Sequence, residues 1–480
     1  MAKFIGRQEE LGILKRLLNK KSASLIIIKG RRRIGKSRLL EEFSQFFHKS
    51  YMFSGLPPAE EANTSAQSQR DEFAIQLNHQ IPSETFDKND WSNLFWHLAN
   101  HTNTGKVLVV LDEISWMGSK DPDFLGKLKN AWDLSFKKND QLILAICGSA
   151  SAWIEKNILS STGFFGRESL NLTLDELPLN DCAEFWNAEN DRVSTHEKLK
   201  ILAVTGGIPR YLEQIIPNLS AEENIYQLCF DKRGILFDEF EKMFSDLFYK
   251  KNNIYKKIVS CLSDGFSDQK AICKKIGLNQ DGDLSEYLDD LIKSGFISRD
   301  FTWNIKNNLA SRLSHYRLKD NYSRFYLKYI LPNHARIQSD NMINVSLHNL
   351  PGWASIMGLQ IENLVLTNRH LIKKSLQIDL NDVVCDNPFF QRTTNRQAGC
   401  QIDYLIQTKF NTLYICEIKY SKNEIGTSVI EEMQEKIKRL SIPKNFSYRT
   451  VLIHVNGVNE PLEDSQFFSY IINFSDFLKK

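Results

Sequence analysis

With 480 residues the chain is too long for one hydrophobic core, and a prior of about 150 residues per domain suggests three. Hydrophobic content of 42% and aromatic content of 11% exclude a disordered chain, while a formal net charge of +3 excludes a global basic field, so nucleic acid could be met only by a local patch. No apolar run approaches the roughly 20 residues of a membrane span, MAKFIGRQEE is no signal peptide, and the eight scattered cysteines contain no C-x-x-C pair; reduced thiols, a cytoplasmic location and no membrane partner are expected.

The apolar run Leu25–Ile28 leads into GRRRIGKS at 30–37, and the amphipathic stretch RLLEEFSQFF follows. This is the G-x-x-x-x-G-K-[ST] phosphate loop between a buried strand and a helix N-terminus. Backbone N–H groups of residues 32–37, aided by the helix dipole, would wrap the phosphates of ATP. Gly30, Arg32, Arg33, Ile34, Gly35, Lys36, Ser37 and Arg38 are the expected cradle. Gly35 lets backbone approach phosphate, Lys36 reaches the β- and γ-phosphates, and the Ser37 hydroxyl is a ligand for Mg²⁺. The arginines at 31–33 either join the cradle or are solvated charges beside it. The polar stretch at 55–69 reads as a flexible excursion.

VLVVLDE at 107–113 is a second buried strand ending in two acids. Mg²⁺ needs more oxygen ligands than the loop supplies, which points to Asp112 as a metal ligand and Glu113 as the base for the attacking water. QLILAICGSASAW at 141–153 is a third strand, with Ser149 beyond its C-terminal end, where open parallel sheets bind ligands. Ser149 is placed either to bond the γ-phosphate or water, or simply to cap the following helix.

FIGRQEEL (4–11), GRRRIGKS, VLVVLDE, ICGSAS, GFFGRES (163–169) and TGGIPRYL (205–212), taken in order, resemble the AAA+-related archaeal-type ATPases that stand near the STAND-type P-loop NTPases. The resemblance implies that Phe4, Ile5 and Arg7 lie near the adenine, that Pro209 of the lid rests on the base, and that Arg210 senses phosphate. It places Arg167 at the position of an arginine finger; acting in trans, that finger would require a homo-oligomer, and the alternative is an ordinary salt-bridged arginine.

Residues 254–298 carry a helix-turn-helix pattern with Ile272, Ile276, Leu284, Leu288 and Leu291 at helical spacing, and 296–318 supply two wing strands. The helix that should enter a DNA groove bears Asp281, Asp283, Glu286, Asp289 and Asp290 against Lys293, a face that repels phosphate. A structural role is favoured over DNA binding, although the basic stretch at 249–257 could touch nucleic acid.

Beyond 351, Glu362 lies in a helical stretch, Asp403 in the strand CQIDYLIQ, and Glu417 and Lys419 in LYICEIKYS. Glu417 and Lys419 alternate onto one face, and a hairpin brings Asp403 to it. Carboxylates that hold Mg²⁺ beside a lysine are what phosphodiester hydrolysis requires. The pattern resembles the PD-(D/E)xK nuclease core, without its leading proline, and Gln401, Arg392 and Arg396 are further candidates. The expected fold is α/β: a P-loop NTPase parallel sheet at 1–165, a helical lid at 166–245, a winged helix at 246–320, a connector at 321–350, and a restriction-endonuclease-like domain at 351–480. The expected activity is that of an ATPase governing a Mg²⁺-dependent nuclease, with a signalling ATPase and a DNA-binding regulator as alternatives.

Overall fold

The computed structural model describes residues 3–57, 64–82, 87–118, 120–189, 192–248, 251–277, 282–342, 346–395 and 397–479; Asp281, Arg396 and parts of 55–69 and 249–257 lie outside them. It divides into two compact units: Met1–Asp175 with Glu241–Asn252 and Asp289–Gly295, and Glu176–Phe240 with Asn253–Leu288 and Phe296–Lys480. The five segments expected from sequence are finer than this division.

The first unit is built on a five-stranded sheet of β1 (Ser24–Gly30), β2 (Lys49–Ser54), β3 (Val107–Asp112), β4 (Leu142–Gly148) and β5 (Glu168–Leu174), in the order β2-β3-β4-β1-β5. All neighbours run parallel. Helices cover a parallel sheet on both faces, which is why β1 and β4 are buried at every position and read as unbroken apolar runs. One face packs on an aromatic cluster in which Trp91 stacks on Phe95 at 5.4 Å and meets Phe124 edge-on at 4.8 Å.

Two strands were not legible in the sequence. KSYMFS and ESLNLTL form the sheet's edges, half exposed and therefore without a continuous apolar run. β5 lies at the start of the segment 166–245 that the sequence suggests as a helical lid, so the sheet extends past residue 165. The polar excursion is also shorter than expected. Ser65 accepts from Ser68 N at 3.1 Å in a capping box, and the helix Ala66–Gln80 starts within the stretch read as flexible.

In the second unit, helices Thr195–Thr205, Pro209–Leu212 and Ala221–Ile225 follow in chain order. The helix Gln269–Ile276 is capped by Asp268 and is tied to Ser285 by Gln269 at 3.0 Å; Ile272, Leu284 and Leu288 are buried as their spacing predicts. β6 (Ile297–Trp303) and β7 (Ala310–Leu318) pair antiparallel, with β6 opening after the helix Gly282–Lys293. A second five-stranded sheet holds β8 (Val383–Gln391), β9 (Cys400–Thr408), β10 (Thr412–Lys419), β11 (Ser447–His454) and β12 (Tyr470–Asn473), in the order β12-β11-β10-β9-β8. β8, β9 and β10 alternate direction, whereas β10, β11 and β12 run parallel. The parallel step from β10 to β11 is made by the helix Ser428–Arg439, as a crossover connection requires.

The β6–β7 hairpin is bound to that sheet. Trp303 Nε1 donates to Gln407 Oε1 at 2.6 Å, Gln407 Nε2 donates to the Ile305 carbonyl at 2.9 Å, and Trp303 meets Phe389 edge-on at 5.2 Å. Beneath it, Arg317 pairs with Asp300 at 2.9 Å and donates to Asn363. Arg324, fully enclosed, donates to the Leu318 carbonyl at 2.7 Å and to Gln360 at 2.8 Å. No disulfide joins any of the eight cysteines, and among the described residues no helix is long and apolar enough to cross a membrane.

Candidate functional site

Gly30 ends β1 at φ 150°, where a Cβ would meet the Leu174 carbonyl oxygen at 2.5 Å. Gly35 stands at φ 91° just before the helix Lys36–Ser44, so the loop turns into that helix through a backbone conformation that disfavours a side chain. Lys36 is buried, and its Nζ donates to the carbonyls of Gly30 and Arg31, both at 3.0 Å. Burial pulls its pKa down, against the attraction of Glu113 and Asp112.

The Ser37 hydroxyl donates to Asp112 Oδ2 at 2.6 Å. Hydroxyl and carboxylate oxygens meeting from loop and strand β3 are the donor set that suits Mg²⁺. The other Asp112 oxygen accepts from the Cys147 thiol at 2.7 Å and from the Glu113 amide at 2.9 Å, which fixes the carboxylate plane. Cys147 was not anticipated; its only signal was a place in β4, beside β3.

Glu113 takes φ 49°, a strained left-handed conformation for a residue with a side chain. Its Oε2 accepts from both the amide and the hydroxyl of Ser149, at 3.1 and 3.0 Å. Ser149 thus holds the carboxylate of Glu113. The capping alternative receives no support: the helix Ser151–Ile154 has no side-chain cap bond.

The other candidates lie in different surroundings. Arg7 is buried at φ 59° and donates to the Ile34 carbonyl at 3.1 Å, to the Asp175 carbonyl and to Glu10, so it braces the phosphate loop. Phe4 lies 5.7 Å from the Arg38 guanidinium, Ile5 is half-buried, and Arg38 pairs with Glu41 and Glu42 on its own helix. Arg31 donates to Met243 Sδ at 3.6 Å and Arg32 pairs with Asp246; Arg33 stands at φ 67°. The guanidinium of Arg167 grips Asp133 through Nε and Nη2, at 3.1 and 2.9 Å, and holds that carboxyl well below the usual range. Pro209 opens its short helix in the second unit, where Arg210 pairs with Glu213 at 3.1 Å on an exposed face.

A second constellation lies on the β9–β10 hairpin. Tyr404 pairs with Cys416, which sets Asp403 beside Glu417, and Asp403 Oδ2 accepts from the Ile418 amide at 2.9 Å. Glu417 is 2% exposed. Lys436 of the crossover helix reaches between the two acids, 2.5 Å from Glu417 Oε2 and 3.5 Å from Asp403 Oδ1. Lys419 pairs with Glu417 at 3.1 Å and with Glu432 at 2.6 Å. Burial, then repulsion from Glu417 and Glu362, pushes the Asp403 carboxyl up to about 7. Glu362, on the helix Trp353–Thr367, is itself pushed up by burial, with Arg317 and Arg324 opposing.

Asp403, Glu417 and Lys419 therefore share one place, with Glu362 in electrostatic reach. Among the described residues no group of three or more acids, histidines or cysteines is drawn close enough to hold a metal. The ammonium of Lys436 stands between Asp403 and Glu417 instead. Lys436 was missed, though its helix carried a signal: Val429 and Met433 form the buried stripe, and Lys436 continues it at the next helical turn.

Residues 4–215 match a family described as an ATPase domain predominantly from Archaea. Over 342 residues, 70% of either chain, there is 27% identity to an uncharacterized protein of Methanocaldococcus jannaschii. A stretch of 40 residues is 50% identical to an uncharacterized ATP-binding protein of the same organism, covering 8% of this chain and 68% of that one. The fold is similar to a Walker-type ATPase of Pyrococcus abyssi, with a TM-score of 0.50 and 16% identity over 68% of this chain and 96% of that chain. With the family match lying over the phosphate loop, Asp112, Glu113 and Ser149, this chain carries a P-loop ATPase domain of the archaeal type.

Proposed function

We propose that this ATPase couples nucleotide turnover to a Mg²⁺-dependent nuclease in the same chain. The observation that carries the reading is the convergence of Asp403, Glu417, Lys436 and Lys419 on one hairpin face, in a chain with a complete phosphate-loop centre. At that centre Lys36 would bind the β- and γ-phosphates, and Glu113, aimed by Ser149, would take the proton of the water that attacks the γ-phosphorus as the bond to the β-phosphate oxygen breaks. Mg²⁺, held by Ser37 and Asp112, would supply charge neutralisation. Pro209 and Arg210 remain candidates for the base and for phosphate, and Arg167 for a finger once Asp133 is displaced.

At the second constellation Asp403 and Glu417 would hold Mg²⁺, which would polarise the scissile phosphate. Lys419 would orient the attacking water. Lys436, drawn to both acids, holds the two carboxylates together. A STAND-like role, in which the second sheet only docks a partner, has one observation in its favour: Glu417 is buried and already neutralised by lysines. A regulator reading DNA through the helix Gly282–Lys293 is disfavoured by the exposed carboxylates on that helix.

The test is cleavage of plasmid, single-stranded DNA and RNA in Mg²⁺ or Mn²⁺, with and without ATP, by wild type, Lys36→Ala and Asp403→Ala. Cleavage by wild type, lost in Asp403→Ala and altered in its ATP response in Lys36→Ala, is expected. Intact ATP turnover with no cleavage under any condition would leave the docking reading.

A further inference from the structure

The sequence posed a conflict: a helix-turn-helix whose third helix is acidic. The tertiary structure offers nucleic acid a different surface. A groove of about 1190 Å³ runs between the β6–β7 hairpin, the helix Gln269–Ile276 and the edge of the second sheet. Its lining contains Lys270, Lys306, Arg312 and Arg392 and no carboxylate. All four cations are exposed, and none makes an ion pair among the described residues. The chain is nearly neutral, with 61 lysines and arginines against 58 acids, so four cations without a carboxylate in one concavity are a local departure from it.

We infer that this groove binds the phosphate backbone of nucleic acid. The proposal rests on the nuclease reading for its purpose, though not for its physics. The volume far exceeds what one small anion needs, whereas cations spread along a trough suit a chain of phosphates. The floor is apolar, formed by the buried Trp303, Phe389 and Phe390, and a low-dielectric floor strengthens the field of the cations above it. Those aromatic rings are covered, so they offer bases no stacking platform; contact is with the backbone and carries no sequence preference.

Position supports the same conclusion. Phe390 of β8 pairs with Gln401 of β9, two residues before Asp403, a spacing of about 7 Å along a strand. At its other side the groove is bounded by Ser441 and Pro443, just beyond the helix whose Lys436 bridges Asp403 and Glu417. A backbone lying in the groove therefore passes beside the carboxylate pair. An acidic peptide would satisfy the charges but gives no reason for them to border that pair.

The experiment measures binding separately from cleavage: anisotropy of labelled random-sequence DNA and RNA duplexes with full-length protein in EDTA, across a salt series. Wild type should bind both at low salt. Lys306→Glu/Arg312→Glu/Arg392→Glu should bind at least about tenfold more weakly, with a log–log salt slope reduced by about 2 to 3, since each phosphate contact contributes roughly one unit. Binding in EDTA requires no cleavage, so a dead nuclease and a failed groove give different results. If the triple variant does not melt cooperatively, Arg392→Gln alone should lower the slope by about one. Unchanged binding in these variants, absence of wild-type binding, or displacement of DNA by polyglutamate at equal charge would overturn the proposal.

Discussion

Ser149 and Glu113 show how a single hydrogen-bonded pair fixes the position of a carboxylate. Glu113 sits in a strained left-handed conformation, and two donors from Ser149 hold its carboxylate. Ser149→Ala removes one donor from the carboxylate proposed above as the base, whose placement would matter more to the transition state than to bound ATP. The expected result is a fall in kcat of about tenfold to a hundredfold with KM for ATP changed by less than about twofold, read in a steady-state phosphate-release assay. Asp403 makes a prediction about stability. Asp403 is buried beside Glu417, and burial followed by that like charge pushes its carboxyl up to about 7. A raised pKa means that the folded form binds the proton more tightly than the unfolded form, so wild-type stability declines as pH rises from about 4 to about 7. Asp403→Asn removes that cost. Its melting temperature should exceed that of wild type by about 2–4 °C at pH 8, with the gain vanishing near pH 4.

At the scale of elements, position in the sheet governs what can be read from sequence. β1, β3 and β4 are central, buried on both faces, and announce themselves as apolar runs; β2 and β5 are edges and do not. The β6–β7 hairpin was legible as two strands, but its attachment was not. Trp303, Arg317 and Arg324 bind it to β9 and to the helix Trp353–Thr367, and each is distant in sequence from its partners. Arg324→Met would leave the Leu318 carbonyl and Gln360 without their buried donor, and Trp303→Ala would open a cavity beside Phe389. Each should lower stability by about 3 kcal/mol or more, measured by denaturant unfolding, with ATP affinity unchanged because the phosphate loop belongs to the other unit.

For the whole molecule, two units with separate sheets predict two unfolding transitions rather than one. Mg²⁺–ATP at about a hundred times its Kd should stabilise the first unit by about 2.7 kcal/mol. Calorimetry should show one transition moving upward with ATP in wild type and not in Lys36→Ala, while Asp403→Asn moves only the other.

The sequence alone determined the nucleotide site because its parts are local. A phosphate loop is eight consecutive residues between a buried strand and a helix, and Asp112 with Glu113 follows a second apolar run. Asp403 and Glu417 were equally accessible, since strand alternation and a hairpin bring them together. What the tertiary structure decided lies in long-range geometry: Arg7 bracing the loop at Ile34, Ser149 turned toward Glu113, Arg167 held by Asp133, and Lys436 placed between two acids. Above all, it brought Lys270, Lys306, Arg312 and Arg392 to one groove. Four isolated cations in a chain of net charge +3 carry no periodic or spacing signal, and only packing of a hairpin against a sheet edge turns them into one field.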